Sequence, residues 1–161
     1  MSAVKRIRVK NRLAAVVRMP GGKTVAEAVA GAEAQLETIK DDCVAAVDNI
    51  LKSMGEAAAP LQKAPTADGM GDLYDLSNEL IGIAGIAGLG PVGDAAFSFC
   101  ELLDKFMEGA AWNWQAVAVH MNGLKLLRAM GEQMGEAERD QVLDGLRAVT
   151  RRIASGDAES A

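Results

Sequence analysis

The 161-residue chain has little of what usually carries chemistry or covalent cross-links: one histidine, two cysteines, four prolines and 4% aromatic residues. Cys43 and Cys100 have neither CxxC spacing nor a histidine partner. That excludes the common zinc and redox motifs and leaves two thiols at apolar helix positions; free thiols in a reducing compartment are expected, with a disulfide as the alternative. Scarce aromatics beside a 50% hydrophobic composition rich in alanine argue against strands and for packed helices. Long apolar runs are also missing. The uncharged stretch Leu80 to Gly93 is 14 residues long and is broken by glycines and Pro91, where a membrane span needs ~20 apolar residues. Leu13 to Val17, after a basic start, is too short for the core of a signal peptide. A cytoplasmic protein without a membrane segment is expected, and its length suits one sizeable core.

Charge is divided unevenly. Lys5, Arg6, Arg8, Lys10, Arg12, Arg18 and Lys23 precede the first acid, Glu27, so residues 1–23 carry +7 and the remainder −12, together the formal −5. We read 1–23 as a flexible basic arm, solvated or ordered by a partner. Its Ile7-Arg8-Val9-Lys10 alternation has no partner strand and no interleaved aromatics, which argues against nucleic-acid recognition. Gly22-Lys23-Thr24 resembles the end of a P-loop, but the earlier glycine that motif requires falls on Val17, so no phosphate cradle is indicated.

Thr24 and Glu27 form a capping box and start a helix over 24–55. Val25, Val29, Ala32, Leu36, Ile39, Cys43, Val47, Ile50 and Met54 recur every three or four residues, and Gly55 with Pro60 is expected to end the run. At 1.5 Å per residue the helix reaches ~50 Å, so overhang, a kink near Gly31 or pairing with a second copy follows. The near-heptad stripe fits a dimeric coiled coil, with an extra residue between Ile39 and Val47. Residues 56–71 read as a linker. Over 72–154 four apolar patterns predict a helical bundle completed by the leading helix. The first carries Leu73, Leu76, Leu80, Ile83 and Ala87, and the second, after Pro91, carries Val92, Ala96, Phe99, Leu103 and Phe106 and closes at Gly109. The third runs from about Trp112 to Met130 through Ala116, Val117, Val119, Leu127 and Met130; the fourth holds Val142, Leu146, Val149 and Ile153. Residues 155–161 are read as a disordered tail. The expected fold class is all-α, an antiparallel four-helix bundle with a long N-terminal helix.

The run from Asn78 to Gly88 is the most informative. With Leu73, Leu76, Leu80, Ile83 and Ala87 as the buried stripe, Asn78, Gly82 and Gly85 fall on the opposite face, beside Tyr74 and Ile81. Each glycine in a helix costs ~1 kcal/mol relative to alanine, and what it offers is bare backbone for another surface to approach. The alternative is that these glycines admit close helix packing within the bundle.

Asn78, Ile81, Gly82, Ala84 and Gly88 stand where histidine-containing phosphotransfer (HPt) domains carry the acceptor histidine, a lysine, a glycine, a small residue and often a second glycine. The stretch resembles that family with its two reactive side chains replaced. An amide nitrogen has a delocalised lone pair and is no nucleophile, and Ile81 brings no charge to hold a phosphoryl group. The resemblance implies a bundle that has kept a docking surface, formed by Tyr74, Asn78, Ile81, Gly82 and Gly85, and lost phosphotransfer. It also implies a response-regulator receiver domain as partner, in a bacterial two-component or chemotaxis pathway, and no cofactor.

Two rival readings stand beside it. His120, the lone histidine, is the alternative phosphoryl acceptor. Against that, Leu124 occupies the place four residues on where an acceptor helix wants glycine, and the phase sets His120 at the edge of the apolar arc, a structural position; no second ligand stands at helical spacing to make it a metal site. The other rival is a helical dimerisation scaffold built on the long helix. Ser77 and Ser98 lack a base at recognisable spacing, and no convergent acid pair is identifiable.

Overall fold

The structure, a computed structural model, describes residues 22–131 and 133–156. Most of the basic arm and all but two residues of the expected tail therefore lie outside the described residues. Those described form five α-helices and no strand: α1 (Val25–Leu61), α2 (Ala67–Ala84), α3 (Gly90–Met107), α4 (Trp114–Met130) and α5 (Glu136–Ala154). The all-α expectation holds. None of these helices is long and apolar enough to cross a membrane.

Helix α1 begins at the capping box read from the sequence. The Thr24 amide donates to Glu27 Oε2 at 2.7 Å, and the Glu27 amide donates to Thr24 Oγ1 at 3.2 Å. The Thr24 amide and the Thr24 hydroxyl, both donating to Glu27 Oε2, hold the Glu27 carboxyl below its usual range. The helix does not stop at Gly55, as expected, but runs 37 residues to Leu61 with Pro60 inside its last turn. Met54, Ala58 and Leu61 are buried on either side of Gly55, and burying large apolar side chains at ~1.5–3 kcal/mol each outweighs one glycine penalty. Pro60 leaves only the Glu56 carbonyl without its helical N–H, and both residues are exposed, so water can take that place. The expected linker 56–71 thus shrinks to residues 62–66. Thr66 caps α2, its hydroxyl accepting from the Gly69 amide at 3.2 Å. Gly69 is also a packing glycine, since a Cβ there would lie 2.7 Å from Leu61 Cδ2.

Along the chain the molecule divides into two units, 1–37 and 38–161. Every described residue of the first is exposed, including Val25 (82%), Val29 (50%) and Leu36 (50%). The second unit holds the core. Val47, Ile50, Leu51 and Met54 of α1 join Leu73 and Leu80 of α2, Val117, Leu124 and Leu127 of α4, and Leu143, Leu146 and Ile153 of α5. Helix α3 buries the most residues, among them Val92, Ala96, Phe99, Leu103 and Phe106, all five expected from its sequence pattern. It ends at Met107, and Gly109, two residues on, has φ +109°, a conformation that favours glycine.

Helices α4 and α5 are rotated slightly from their sequence reading. In α4 the buried arc is Ala116, Val117, His120, Met121, Gly123, Leu124 and Leu127, while Val119 and Met130 are exposed. His120, expected at the edge of the arc, lies at its centre. Asn113 caps this helix, its Oδ1 accepting from the Ala116 amide at 3.0 Å. In α5, Leu146 and Ile153 are buried as expected, but Leu143 and Thr150 complete the face and Val142 and Val149 are half-buried. Gly123 brings α4 against α5; a Cβ there would stand 3.0 Å from both Leu146 methyls. Arg128 of α4 makes a two-pronged contact with Asp48 of α1, 2.8 Å from Nε and from Nη2. Both side chains are partly solvated, so the pair contributes at most about 1 kcal/mol.

Candidate functional site

Helix α2 presents two different faces. Inward lie Leu73, Ser77, Leu80 and Ala84; Ser77 is fully buried and satisfied, its hydroxyl donating to the Leu73 carbonyl at 2.8 Å. Outward lie Asn78, Gly82 and Gly85, all exposed. A Cβ built on Gly82 or Gly85 would meet nothing within 4 Å. These two glycines therefore do not serve close helix packing in this chain, in contrast to Gly69 and Gly123, which do. Openness alone does not mark a site, because Gly31, Gly55, Gly71 and Gly145 are open as well. What distinguishes Gly82 and Gly85 is their alignment. Gly71, Asp75, Asn78, Gly82 and Gly85 follow spacings of four, three, four and three, one continuous stripe on the helix surface. Asp75 is exposed and Gly71 half-buried; neither was singled out from the sequence, although their phase was available there.

Tyr74 and Ile81 border the stripe and are partly buried against the core. The Tyr74 carbonyl lies 3.9 Å from Cys100 Sγ of α3, and the site of a Gly93 Cβ lies 3.4 Å from Ala84 Cβ and 4.0 Å from the Ile81 carbonyl. Helix α3 thus backs α2 along its length and fixes the orientation of the stripe. The carboxylate of Asp104, then Cys100, burial and Asp75, push the Tyr74 phenol above its ordinary value. Tyr74 is therefore a neutral phenol, an amphipathic contact residue without a titration near neutrality.

Gly88 has a different function from Gly82 and Gly85. Its φ is +74°, its amide donates to the Gly85 carbonyl at 3.3 Å, and the Leu89 amide donates to the Ala84 carbonyl at 2.8 Å. This is a Schellman ending, with glycine in the left-handed position and Leu89 buried beyond it. Gly88 belongs to the chain's own turn.

His120 sits at the centre of the α4 arc with no exposure. Its Nδ1 donates to the Ala116 carbonyl at 2.9 Å. That leaves Nε2 as acceptor, 3.2 Å from Thr150 Oγ1 and 3.3 Å from Ser98 Oγ. The Phe99 ring stacks on the imidazole with centroids 5.6 Å apart. Burial lowers the His120 pKa below its ordinary value, partly offset by the bond to Ala116. The ring is a neutral, fully engaged core element, and full burial removes the access that a phosphoryl acceptor needs. Ser98 and Thr150 are also buried, so the Ser98–His120 contact is a structural hydrogen bond with no route for a substrate.

Between α3 and α5 runs a groove of about 620 Å³ lined by Phe97, Glu101, Asp104, Lys105, Glu108, Arg147, Thr150, Arg151 and Ala154. Its charges are of both signs and several are paired, Lys105 with Glu108 at 2.7 Å and Arg147 with Asp144 at 3.2 Å. No cluster of three metal-ligating side chains occurs among the described residues. Both cysteines are free thiols. Comparison with protein-family models, curated proteins and solved structures found no match for this chain.

Proposed function

We propose that this protein is a non-catalytic docking module that receives a partner on the outer face of α2. The observation that carries this reading is the open backbone at Gly82 and Gly85 beside exposed Asn78. Gly82, inside the helix, costs it ~1 kcal/mol and Gly85, at its C-cap, costs less, and neither returns anything to the protein's own packing. The cost is explained if another surface approaches the bare backbone, with Tyr74 and Ile81 supplying apolar contact at its border. Asn78 offers hydrogen bonds but no nucleophile.

On the resemblance to HPt domains, we take the fold to be an antiparallel four-helix bundle closed by the second half of α1. We take the partner to be a response-regulator receiver domain of a bacterial two-component pathway, and the location to be the cytoplasm, where free Cys43 and Cys100 persist. The module would act by holding or sequestering the receiver, without phosphotransfer. The test is binding of a panel of receiver domains to the wild type and to Gly82→Trp. The indole should reduce affinity at least about 100-fold, a loss of ~3 kcal/mol, with the circular dichroism spectrum unchanged. Equal affinity in the two proteins would remove α2 as the docking face. Transfer of phosphate from a phosphorylated receiver onto the wild type would refute the non-catalytic reading.

A further inference from the structure

The first turns of α1 have an apolar stripe and no core. From Val25 to Glu37 the helix lies in the first unit, and every residue of that stretch is exposed. Helices owe most of their stability to packing of an apolar face, and a segment of roughly 13 residues is marginal without it. The apolar positions are regular: Val25, Val29, Ala32 and Leu36 are spaced four, three and four, and the sequence keeps that phase through Ile39 and Cys43. This is an unbroken heptad seam with Val29 and Leu36 at one seam position and Val25 and Ala32 at the other. The phase slips by one residue between Cys43 and Val47, and Val47 is the first fully buried residue of the helix. The helix thus has two apolar registers: the second is used by the core of the second unit, and of the first only Cys43 packs against that core, while Val25, Val29, Ala32, Leu36 and Ile39 are exposed.

We infer that the first register pairs with the same register of a second copy of this chain, as a parallel two-stranded coiled coil. Charge placement fits a second copy. Glu27, Glu37 and Asp41 fall on the outer side of the heptad, away from the seam. In parallel register, Ala28 meets the partner's Glu33 and Gln35 meets the partner's Lys40, so no like charges oppose one another across the seam. The area fits a weak dimer. The exposed seam from Val25 to Ile39 is roughly 22 Å long at 1.5 Å per residue and about 10 Å wide, well short of the ~800 Å² per partner of a standard interface. Pairing over so small a seam is expected to be weak, so the dimer forms and dissociates with concentration. This inference does not depend on the docking role of α2.

Sedimentation equilibrium of the full chain should show a dimer at about 100 µM that dissociates on dilution below about 1 µM. Leu36→Asp should weaken it at least about tenfold, since it buries a carboxylate in the seam of each chain. Leu36 is half exposed in the single chain, so the variant's thermal midpoint at low concentration should match the wild type. A protein that stays monomeric at about 100 µM, or a Leu36→Asp variant that dimerises as well as the wild type, would overturn the pairing. Orientation is read separately. Val29→Cys in a Cys43→Ser background should form an intermolecular disulfide under mild oxidation, because equivalent seam residues of parallel helices approach within disulfide range. A dimer that persists but does not cross-link there would overturn the parallel arrangement.

Discussion

Acidification from about pH 7 to about pH 5 is expected to destabilise this protein, and His120→Leu is expected to remove most of that dependence. His120 has no exposure, is neutral, and has its pKa lowered by burial. The unfolded chain takes up a proton near the ordinary value of 6.5, while the folded chain resists it until a lower pH. Between those two values the unfolded state binds more protons. Stability is therefore complete above the unfolded value, falls as pH drops through it, and levels off once the folded value is passed. The slope is at most about 1.4 kcal/mol per pH unit for one group. No carboxylate stands among the contacts of the ring, which are the Ala116 carbonyl, the Ser98 and Thr150 hydroxyls and the Phe99 face; the Ala116 carbonyl alone favours the imidazolium, and burial outweighs it. His120→Leu leaves few orphans, because Thr150 Oγ1 retains the Ser98 and Leu146 carbonyls at 3.3 and 3.4 Å and the Ser98 hydroxyl retains Thr150. Urea unfolding of both proteins at several pH values measures the effect. A wild type as stable at pH 5 as at pH 7 would contradict the burial argument.

The second large effect has the opposite sign. Gly82→Ala with Gly85→Ala should raise unfolding free energy by at most about 1–2 kcal/mol, since alanine recovers roughly 0.5–1 kcal/mol of helix propensity inside the helix at position 82 and no more than that at the C-cap, position 85, and neither meets an atom within 4 Å. For a chain of this size that is an increase in thermal midpoint of roughly 2–8 °C. Gly88→Ala, three residues on, should lose stability, because φ of +74° disfavours any Cβ. If the outer face of α2 docks a partner, the stabilised double variant should bind less well, a trade of stability against function. Differential scanning calorimetry gives the first half of the expectation. A destabilised double variant would mean that these glycines serve the fold.

Much of this architecture was legible in the sequence, and the misreadings have identifiable causes. The capping box at Thr24 and Glu27, the core stripe of α3 and the outward phase of Asn78, Gly82 and Gly85 depend on local chemistry and period alone, and all three appear in the structure. The end of α1 was misplaced because Gly55 and Pro60 are local breakers, whereas Met54, Ala58 and Leu61 find their partners in the core, which no local signal reports. The α4 arc was misphased because apolar Val119 and Met130 were given to the core, whereas its centre is His120, expected only at the edge, whose neutral imidazole with both nitrogens bonded packs as a large core side chain. Its partners Ser98 and Thr150 lie 22 and 30 residues away along the chain, beyond the reach of any periodicity argument. Gly71 and Asp75, in contrast, were readable at helical spacing from Asn78. The packing duties of Gly69 and Gly123 were not, because they depend on where Leu61 and Leu146 come to rest.

The contact of Cys100 with α2 makes this thiol an internal clock. Burial, then the nearby Asp104 carboxylate, raises its pKa to about 11, so near pH 8 only on the order of one molecule in a thousand carries the reactive thiolate, and that one lies in a closed interface. Alkylation of Cys100 must therefore wait for α3 to part from α2 at Tyr74. Its labelling rate, set beside that of half-buried Cys43 in the same chain, measures how often the backing of the outer α2 face comes away.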